Sequence, residues 1–285
     1  MIFLPLLQSP VPAPQVQTQI GDPNLPQAMD ALIKAKDWGG LADWFETVPP
    51  AVRGRYYEWW LQSLNRSQRW ERLLAICQAL QPQIEAKSGP RLASYRLYRA
   101  QALSHLDRHG EAALAHAENG RLGYPNGFIS ACNEARLARD WNALLTYSDE
   151  FLGKHPEDAL GLSWKGEALA RLDRLGESEP ILRAALAKDP KLAYAWNNLG
   201  RCLNEKKAWS EACEALDKAL LLEPNQVEAR YNRGRCLFEL KRFRESRDDF
   251  RAALALQPGD PVLAENLRQA ERYAALPVVQ GSKKR

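Results

Sequence analysis

The sequence predicts an all-α fold, an α-solenoid of stacked helical hairpins closed by a C-terminal capping helix. The first observation is a strict interval of 34 residues, shared by four prolines and three glycines: Pro156, Pro190, Pro224, Pro258, Gly166, Gly200 and Gly234. The second is that each interval between prolines contains two amphipathic helical runs joined by a short polar turn. Such a hairpin cannot bury its apolar face alone, so hairpins at a fixed period are expected to stack and share a core.

The glycines of the first helix indicate a close crossing with the second helix. Glycine costs about 1 kcal/mol of helix propensity relative to alanine, so a gain in packing must offset it. Twelve residues after each glycine, the second helix carries a small residue: Ser178, Ala212 or Ser246. We therefore expect Gly200 and Ala212 to lie opposite each other where the helices cross. The prolines end the second helix, because proline lacks an N–H donor and biases the residue before it away from helical geometry.

This pattern resembles the tetratricopeptide repeat. The family consensus carries Trp, Leu, Gly and Tyr in the first helix, Ala, Phe and Ala in the second, and a closing Pro. Residues 193–226 match best at those places, with Trp196, Leu199, Gly200, Leu203, Ala212, Leu216, Ala219 and Pro224. Residues 227–260 keep the glycine and the closing proline but carry Arg230 and Arg233 in the first two places. The resemblance implies that the solenoid is right-handed.

The repeat pattern weakens towards the N-terminus, and the predicted organisation follows it. A proline-rich, poorly ordered leader precedes divergent hairpins, four repeats, a capping helix and a basic tail. The corresponding ranges are 1–26 for the leader, 27–124 for the divergent hairpins, 125–158, 159–192, 193–226 and 227–260 for the repeats, 261–276 for the cap and 277–285 for the tail.

The leader and the cysteines bear on localisation and redox state. The apolar start of the leader lacks the Lys or Arg that opens a secretory signal, so a cytoplasmic protein is expected. The alternative is export, if that apolar start is a truncated signal peptide. The five cysteines are odd in number and include no C-x-x-C pair, so they are expected to be free and buried. No apolar run approaches the ~20 residues of a membrane span.

Motifs for catalysis, metals and nucleic acids are missing from the sequence. It contains no phosphate loop, no G-x-S-x-G and no H-E-x-x-H, so neither an enzyme nor a cofactor is predicted. His105, His109 and His116 are close in sequence, but no carboxylate or thiol is spaced to complete a metal site. A net charge of +4, from 39 basic and 35 acidic residues, is too small to track a phosphate backbone. An RNA-associated scaffold is therefore the least favoured function.

The favoured function is a protein-interaction scaffold that binds an extended peptide in the concave groove lined by the first helices. The resemblance implies the groove residues Trp164, Tyr194, Asn197, Asn198, Arg201, Tyr231, Asn232 and Arg235. Asn198 and Asn232 occupy one repeat position and resemble the asparagine ladder of O-linked N-acetylglucosamine transferases, although solvated asparagines are an alternative. Because guanidinium favours carboxylate, the expected partner is a protein or peptide with acidic side chains or a free C-terminus.

An alternative of a different class is an accessory or assembly subunit that docks through its N-terminal, tryptophan-rich region. Trp59, Trp60 and Trp70 would support it if they formed an exposed patch, because aromatic residues concentrate at interaction hot spots. The sequence leaves the partner and the oligomeric state open.

Overall fold

The structure is a computed structural model that describes residues 26–84, 90–124 and 126–275. Within these residues it contains sixteen helices and no strand, which confirms the predicted all-α class. Apart from Pro26, the predicted leader lies outside the described residues, as does the tail 277–285. The chain divides into two compact units, residues 1–143 and 144–285, which are described in turn.

Unit 1 contains eight described helices and the start of a ninth. They are α1 (Gln27–Lys34), α2 (Trp38–Thr47), α3 (Pro50–Arg55), α4 (Tyr57–Arg66), α5 (Trp70–Ile84), α6 (Pro90–His105), α7 (His109–Arg121) and α8 (Gly127–Leu137). Its core is rich in aromatic side chains, among them Phe45, Trp60, Tyr95 and Tyr98. The buried Tyr95 hydroxyl donates a hydrogen bond of 2.9 Å to the carbonyl of Cys77, which ties α6 to α5.

Unit 2 consists of hairpins with a single helix at the end. Helix α9 (Trp141–Lys154) begins in unit 1 and continues into unit 2. The hairpins pair a first helix with a second helix, and their bounds are α10 (Ala159–Arg171) with α11 (Leu175–Lys188), α12 (Ala193–Glu205) with α13 (Trp209–Leu222), and α14 (Val227–Glu239) with α15 (Phe243–Leu256). Helix α16 (Pro261–Ala274) packs on α15 at the position of the predicted cap. Asp260 caps it by accepting from the N–H groups of Val262 and Leu263.

The turn between the two helices repeats a backbone conformation that the sequence does not reveal. Asp173, Lys207 and Lys241 each have a φ of 61°, at successive intervals of 34 residues. In the first of these turns, the N–H of Arg174 bonds back to the carbonyl of Leu169 at 2.9 Å, as in a Schellman motif. Since an acidic and two basic side chains occupy the position, no single residue type marks it.

The helix crossing differs in detail from the prediction. A Cβ built on Gly200 would lie 2.5 Å from Cγ of Leu216, so the glycine makes room for that leucine, which the prediction did not include. Leu182 and Phe250 fill the same space at the two equivalent glycines. The small residue has another role in the flanking repeats, where the hydroxyls of Ser178 and Ser246 donate to the glycine carbonyls at 2.7 and 2.8 Å.

Arg230, which replaces the consensus tryptophan, makes the same hydrogen bond as the indole N–H of that tryptophan. In the repeat 193–226, the indole Nε1 of Trp196 donates to the carbonyl of Pro190 at 2.8 Å. In the next repeat, Nε of Arg230 donates to the carbonyl of Pro224 at 3.1 Å. Both donors therefore satisfy the carbonyl of the proline that closes the preceding repeat.

Replacement of the consensus leucine by Arg233 is compensated by carboxylates on the second helices. Its guanidinium makes two bonds of 2.7 Å to Asp249, which is almost fully buried, and one of 2.6 Å to the exposed Asp217. The hydrogen bonds that Arg233 donates to Asp249 are the largest cause of a pKa for Arg233 above its ordinary value. An ion-pair network thus occupies a place where the repeat consensus has apolar packing.

The expectation that all five cysteines are free is wrong. The structure joins Cys213 of α13 to Cys236 of α14 in a disulfide, which links one repeat to the next. Stacking of the repeats brings these two residues together although 23 positions separate them. The number of cysteines and the absence of a C-x-x-C pair could not reveal this pairing. Cys77, Cys132 and Cys202 remain free and buried, as expected.

We predict that Gly200→Ala destabilises unit 2 by about 1–3 kcal/mol, because the added methyl group would collide with Leu216. Thermal unfolding followed by circular dichroism measures the effect. Gly153→Ala is the matched control, since this glycine near the end of α9 is exposed and has no atom within 4 Å of its built Cβ. The control should be neutral or stabilising by up to about 1 kcal/mol. Equal midpoints for both variants would show that Leu216 does not fill the space next to Gly200.

We predict that Asp249→Ala costs about 3 kcal/mol, the low end of the range for breaking a buried ion pair, because Arg233 retains Asp217. Asp217→Ala removes the exposed partner of the same arginine and should cost less than about 1 kcal/mol. Urea unfolding of both variants distinguishes the two sites. A larger loss for Asp217→Ala would contradict the assigned network.

A thiol count tests the disulfide. The native protein should react slowly with a thiol reagent, because burial protects the free cysteines and raises the pKa of Cys77 to about 12. After denaturation without a reductant, three thiols should react, and prior reduction should raise the number to five. Five thiols without reduction would contradict the pairing. Because disulfides persist mainly in oxidising compartments, the same count bears on localisation.

Candidate functional site

The candidate site is a cavity of about 360 Å³ on the first helices of unit 2, which we call the groove. Helices α10, α12 and α14 supply most of its walls, because the 34-residue period brings the same face of each first helix to one side. The lining residues are Ala170, Arg171, Asp173, Leu175, Asn197, Arg201, Glu205, Glu228, Tyr231, Asn232 and Arg235.

Five of the eight sequence-predicted groove residues line this cavity: Asn197, Arg201, Tyr231, Asn232 and Arg235. The other three lie elsewhere. Trp164 is buried, with its ring edge-on to Phe151 at 6.0 Å between centroids. Asn198 is buried, and Tyr194 is half-buried on the same helix, α12. The lining positions of α12 are four residues apart, as are those at 228, 232 and 231, 235 of α14, so they share one face of each helix.

The asparagines form a network that differs from the predicted ladder. Nδ2 of Asn232 donates to Oδ1 of Asn197 at 2.9 Å, so the link between repeats runs to Asn197 rather than to Asn198. Nδ2 of Asn204 donates to the backbone carbonyl of Asn232 at 2.8 Å. Both bonds are buried and hold α12 against α14.

The sequence interpretation missed Asn204, because this residue carries no repeat signal. The equivalent positions one repeat earlier and one repeat later are Ala170 and Phe238. A polar residue that occurs in only one repeat is not part of the periodic pattern. The bond from Asn204 to the carbonyl of Asn232 is therefore revealed only by the packing of α12 against α14.

The three arginines of the groove differ in their partners. Nη2 of Arg171 lies 3.1 Å from Oε1 of Glu228, and Nη1 of Arg235 lies 3.0 Å from Oε1 of Glu205. Arg201 instead donates to the backbone carbonyl of Ala170, and within the described part of the chain it makes no ion pair. Burial, followed by repulsion from Arg171, holds the pKa of Arg201 below its ordinary value. Arg201 is therefore the groove cation that is left for an external anion.

The tryptophans of unit 1 do not form the exposed patch that the docking alternative requires. Trp59 and Trp60 are only 6% and 5% exposed and belong to the core. Trp70 is half-buried and stacks on the imidazole of His105 with 3.9 Å between ring centroids.

Of the three neighbouring histidines of unit 1, His109 contacts a carboxylate. Nδ1 of His109 lies 2.8 Å from Oε2 of Glu134, whose other oxygen accepts from Ser104 at 2.7 Å. Burial lowers the pKa of His116 to about 4, which keeps its imidazole neutral near pH 7. Among the described residues, no group of three or more His, Cys, Asp or Glu side chains could hold a metal ion.

A helix that crosses a bilayer needs about 20 predominantly apolar residues. In the ranges that the structure describes, no helix is long and apolar enough to do so.

Comparisons with known proteins agree with the repeat architecture. Two family profiles, both described as tetratricopeptide repeat, match this chain, one over residues 199–272 and the other over residues 142–193 and 173–220. A search of curated proteins finds no match.

Solved structures of TPR proteins are similar to parts of the chain. A thermophilic TPR protein of Thermus thermophilus is 19% identical, with a TM-score of 0.50, over 63% of this chain and 99% of that chain, and it shows the same fold. YrrB, a TPR protein with an unusual peptide-binding site, is 18% identical, with a TM-score of 0.47, over 68% of this chain and 99% of that chain. The first TPR of Spaghetti (RPAP3), bound to an HSP90 peptide, is 22% identical, with a TM-score of 0.40, over 42% of this chain and 94% of that chain.

The helical hairpins, their 34-residue period and both profile matches coincide over the same part of the chain. Residues 142–272 of the chain are therefore tetratricopeptide repeats.

Proposed function

We propose that the chain is a non-catalytic scaffold for protein–protein interaction that binds an extended peptide segment in the groove. The observation that carries the proposal is Arg201, a half-buried guanidinium in the groove that hydrogen bonds to a carbonyl and makes no ion pair with the described residues. A partly desolvated cation of this kind gains more from a carboxylate than a solvated one does, because water screens the interaction less.

The groove is held in shape before any ligand arrives. The buried bond from Asn232 to Asn197 joins α14 to α12, and the bond from Asn204 to the carbonyl of Asn232 adds a second link between them. The disulfide from Cys213 to Cys236 ties α14 to α13. A preorganised groove loses little conformational entropy on binding, which favours affinity.

The charges of the groove favour a ligand with one carboxylate over a run of acidic residues. Three cations, Arg171, Arg201 and Arg235, face three anions, Asp173, Glu205 and Glu228, so the formal charge of the lining is balanced. A second acidic residue on the ligand would lie near one of these carboxylates and be repelled. Tyr231 adds an aromatic contact at low entropic cost, since a tyrosine side chain has few rotamers.

We predict that the full-length chain binds peptides bearing one carboxylate and that Arg201→Ala weakens this binding about tenfold to a hundredfold, the range for a lost hydrogen bond to a charged group. A peptide array in which each sequence is present with a free C-terminus and as an amide identifies binders, and calorimetry gives their affinities. The salt dependence of binding should decrease together with the affinity.

Arg183→Ala is the matched control, because this arginine is exposed on the second helix α11 and pairs with Glu179 and Glu211 outside the groove. It should leave binding unchanged. Wild-type affinity in Arg201→Ala, or an array without carboxylate-dependent binders, would remove the groove as the binding site.

A further inference from the structure

We infer that Arg171 and Arg201 form a two-arginine site for one carboxylate and that Glu228 is a built-in competitor for it. The inference rests on the proposed function and deepens it, because it assigns the groups that receive the anion and the group that must leave. Arg171 is absent from the groove residues that the sequence predicts.

The ion pair between Arg171 and Glu228 spans the groove. Arg171 is the last residue of α10 and Glu228 lies in the first turn of α14, 57 residues later. These two helices are the outer walls of the groove, and α12 with Arg201 lies between them in the repeat order. The ion pair thus connects two repeats that are not neighbours, whereas the pair of Arg235 with Glu205 connects adjacent ones.

The two arginines lie close together and repel each other. The guanidinium of Arg201 donates to the carbonyl of Ala170, the residue before Arg171. Arg171 is close enough to Arg201 to lower its pKa, while Glu228 acts in the opposite direction. Two guanidiniums that repel each other are stabilised by an anion placed between them. In the groove without a ligand, Glu228 supplies part of that negative charge through its contact of 3.1 Å with Arg171.

Glu228 can leave this contact easily. Its side chain is 53% exposed and that of Arg171 is 25% exposed. An ion pair at this level of exposure contributes little to stability, since water and salt screen it. A ligand carboxylate that contacts both arginines can replace it, and the released Glu228 returns to solvent at little cost.

Replacement of Glu228 by a ligand carboxylate would also make the groove selective for ligands with a single acidic group. The released Glu228 carboxylate stays near the entrance and repels a second acidic group on the ligand, while it tolerates a neutral or basic neighbour. Glu228 would therefore act as a specificity-determining residue for the proposed site.

The test compares two substitutions that break the same ion pair. Glu228→Gln removes the competitor and should tighten binding of a carboxylate peptide roughly fivefold, which corresponds to the upper range for an exposed pair. Arg171→Gln removes one of the two receiving cations and should weaken binding. A purely structural role for the ion pair predicts changes in the same direction, so opposite changes support the inference.

The probes are three forms of the tightest free-carboxylate peptide from the array: the free acid, its C-terminal amide, and the amide with one internal glutamate. Fluorescence anisotropy measures their affinities for the wild type and for both variants. Tighter binding of the free acid alone identifies a chain terminus as the source of the carboxylate, and tighter binding of the third peptide identifies a side chain. Either result supports the two-arginine site.

Glu211→Gln is the control, because Glu211 makes a comparable exposed pair of 3.2 Å with Arg183 outside the groove. It should leave all affinities unchanged. If the wild type binds normally, the inference is overturned by unchanged or weaker binding of Glu228→Gln, or by unchanged or tighter binding of Arg171→Gln. Either of these results leaves the proposed function standing. Absence of carboxylate-dependent binding by the wild type overturns both.

Discussion

The packing of one large side chain of the second helix against a glycine of the first helix is the interaction on which the structure of unit 2 depends. Leu182, Leu216 and Phe250 each fill the space above a first-helix glycine sixteen positions earlier. Because that contact recurs every 34 residues, each hairpin closes at a similar depth and presents a similar face to the next. The alignment of the first helices, and with it the groove, follows from this packing.

Equivalent positions of the repeats keep the same hydrogen bond even where the residue type differs. Trp196 and Arg230 share little chemistry beyond an N–H donor, yet each donates to the carbonyl of the preceding closing proline. Arg233 replaces an apolar consensus residue and is satisfied by Asp249 and Asp217. A buried charge is tolerated when its partners are supplied together with it, which explains how the repeat 227–260 departs from the consensus without losing its fold.

The electrostatics of the groove result from the same alignment. Stacking places six charged side chains around one cavity, and two of the three arginines are paired with carboxylates of other helices. The remaining cation, Arg201, is held by a backbone carbonyl and lies beside Arg171. In the proposed binding mode the ligand exchanges ion-pair partners with the groove, so affinity should respond more to single charges than to the total charge of the ligand.

The sequence by itself determined the all-α class and the repeat length, because these depend on periodicity along the chain. The resemblance to the tetratricopeptide repeat implied five residues that line the groove: Asn197, Arg201, Tyr231, Asn232 and Arg235. Only the tertiary structure decided which side chains are partners. The bond between Asn232 and Asn197, the disulfide between Cys213 and Cys236, and the ion pair of Arg171 with Glu228 join residues 35, 23 and 57 positions apart. Pairings of this kind depend on helix orientation and side-chain reach across repeats, and a linear period does not encode either of them.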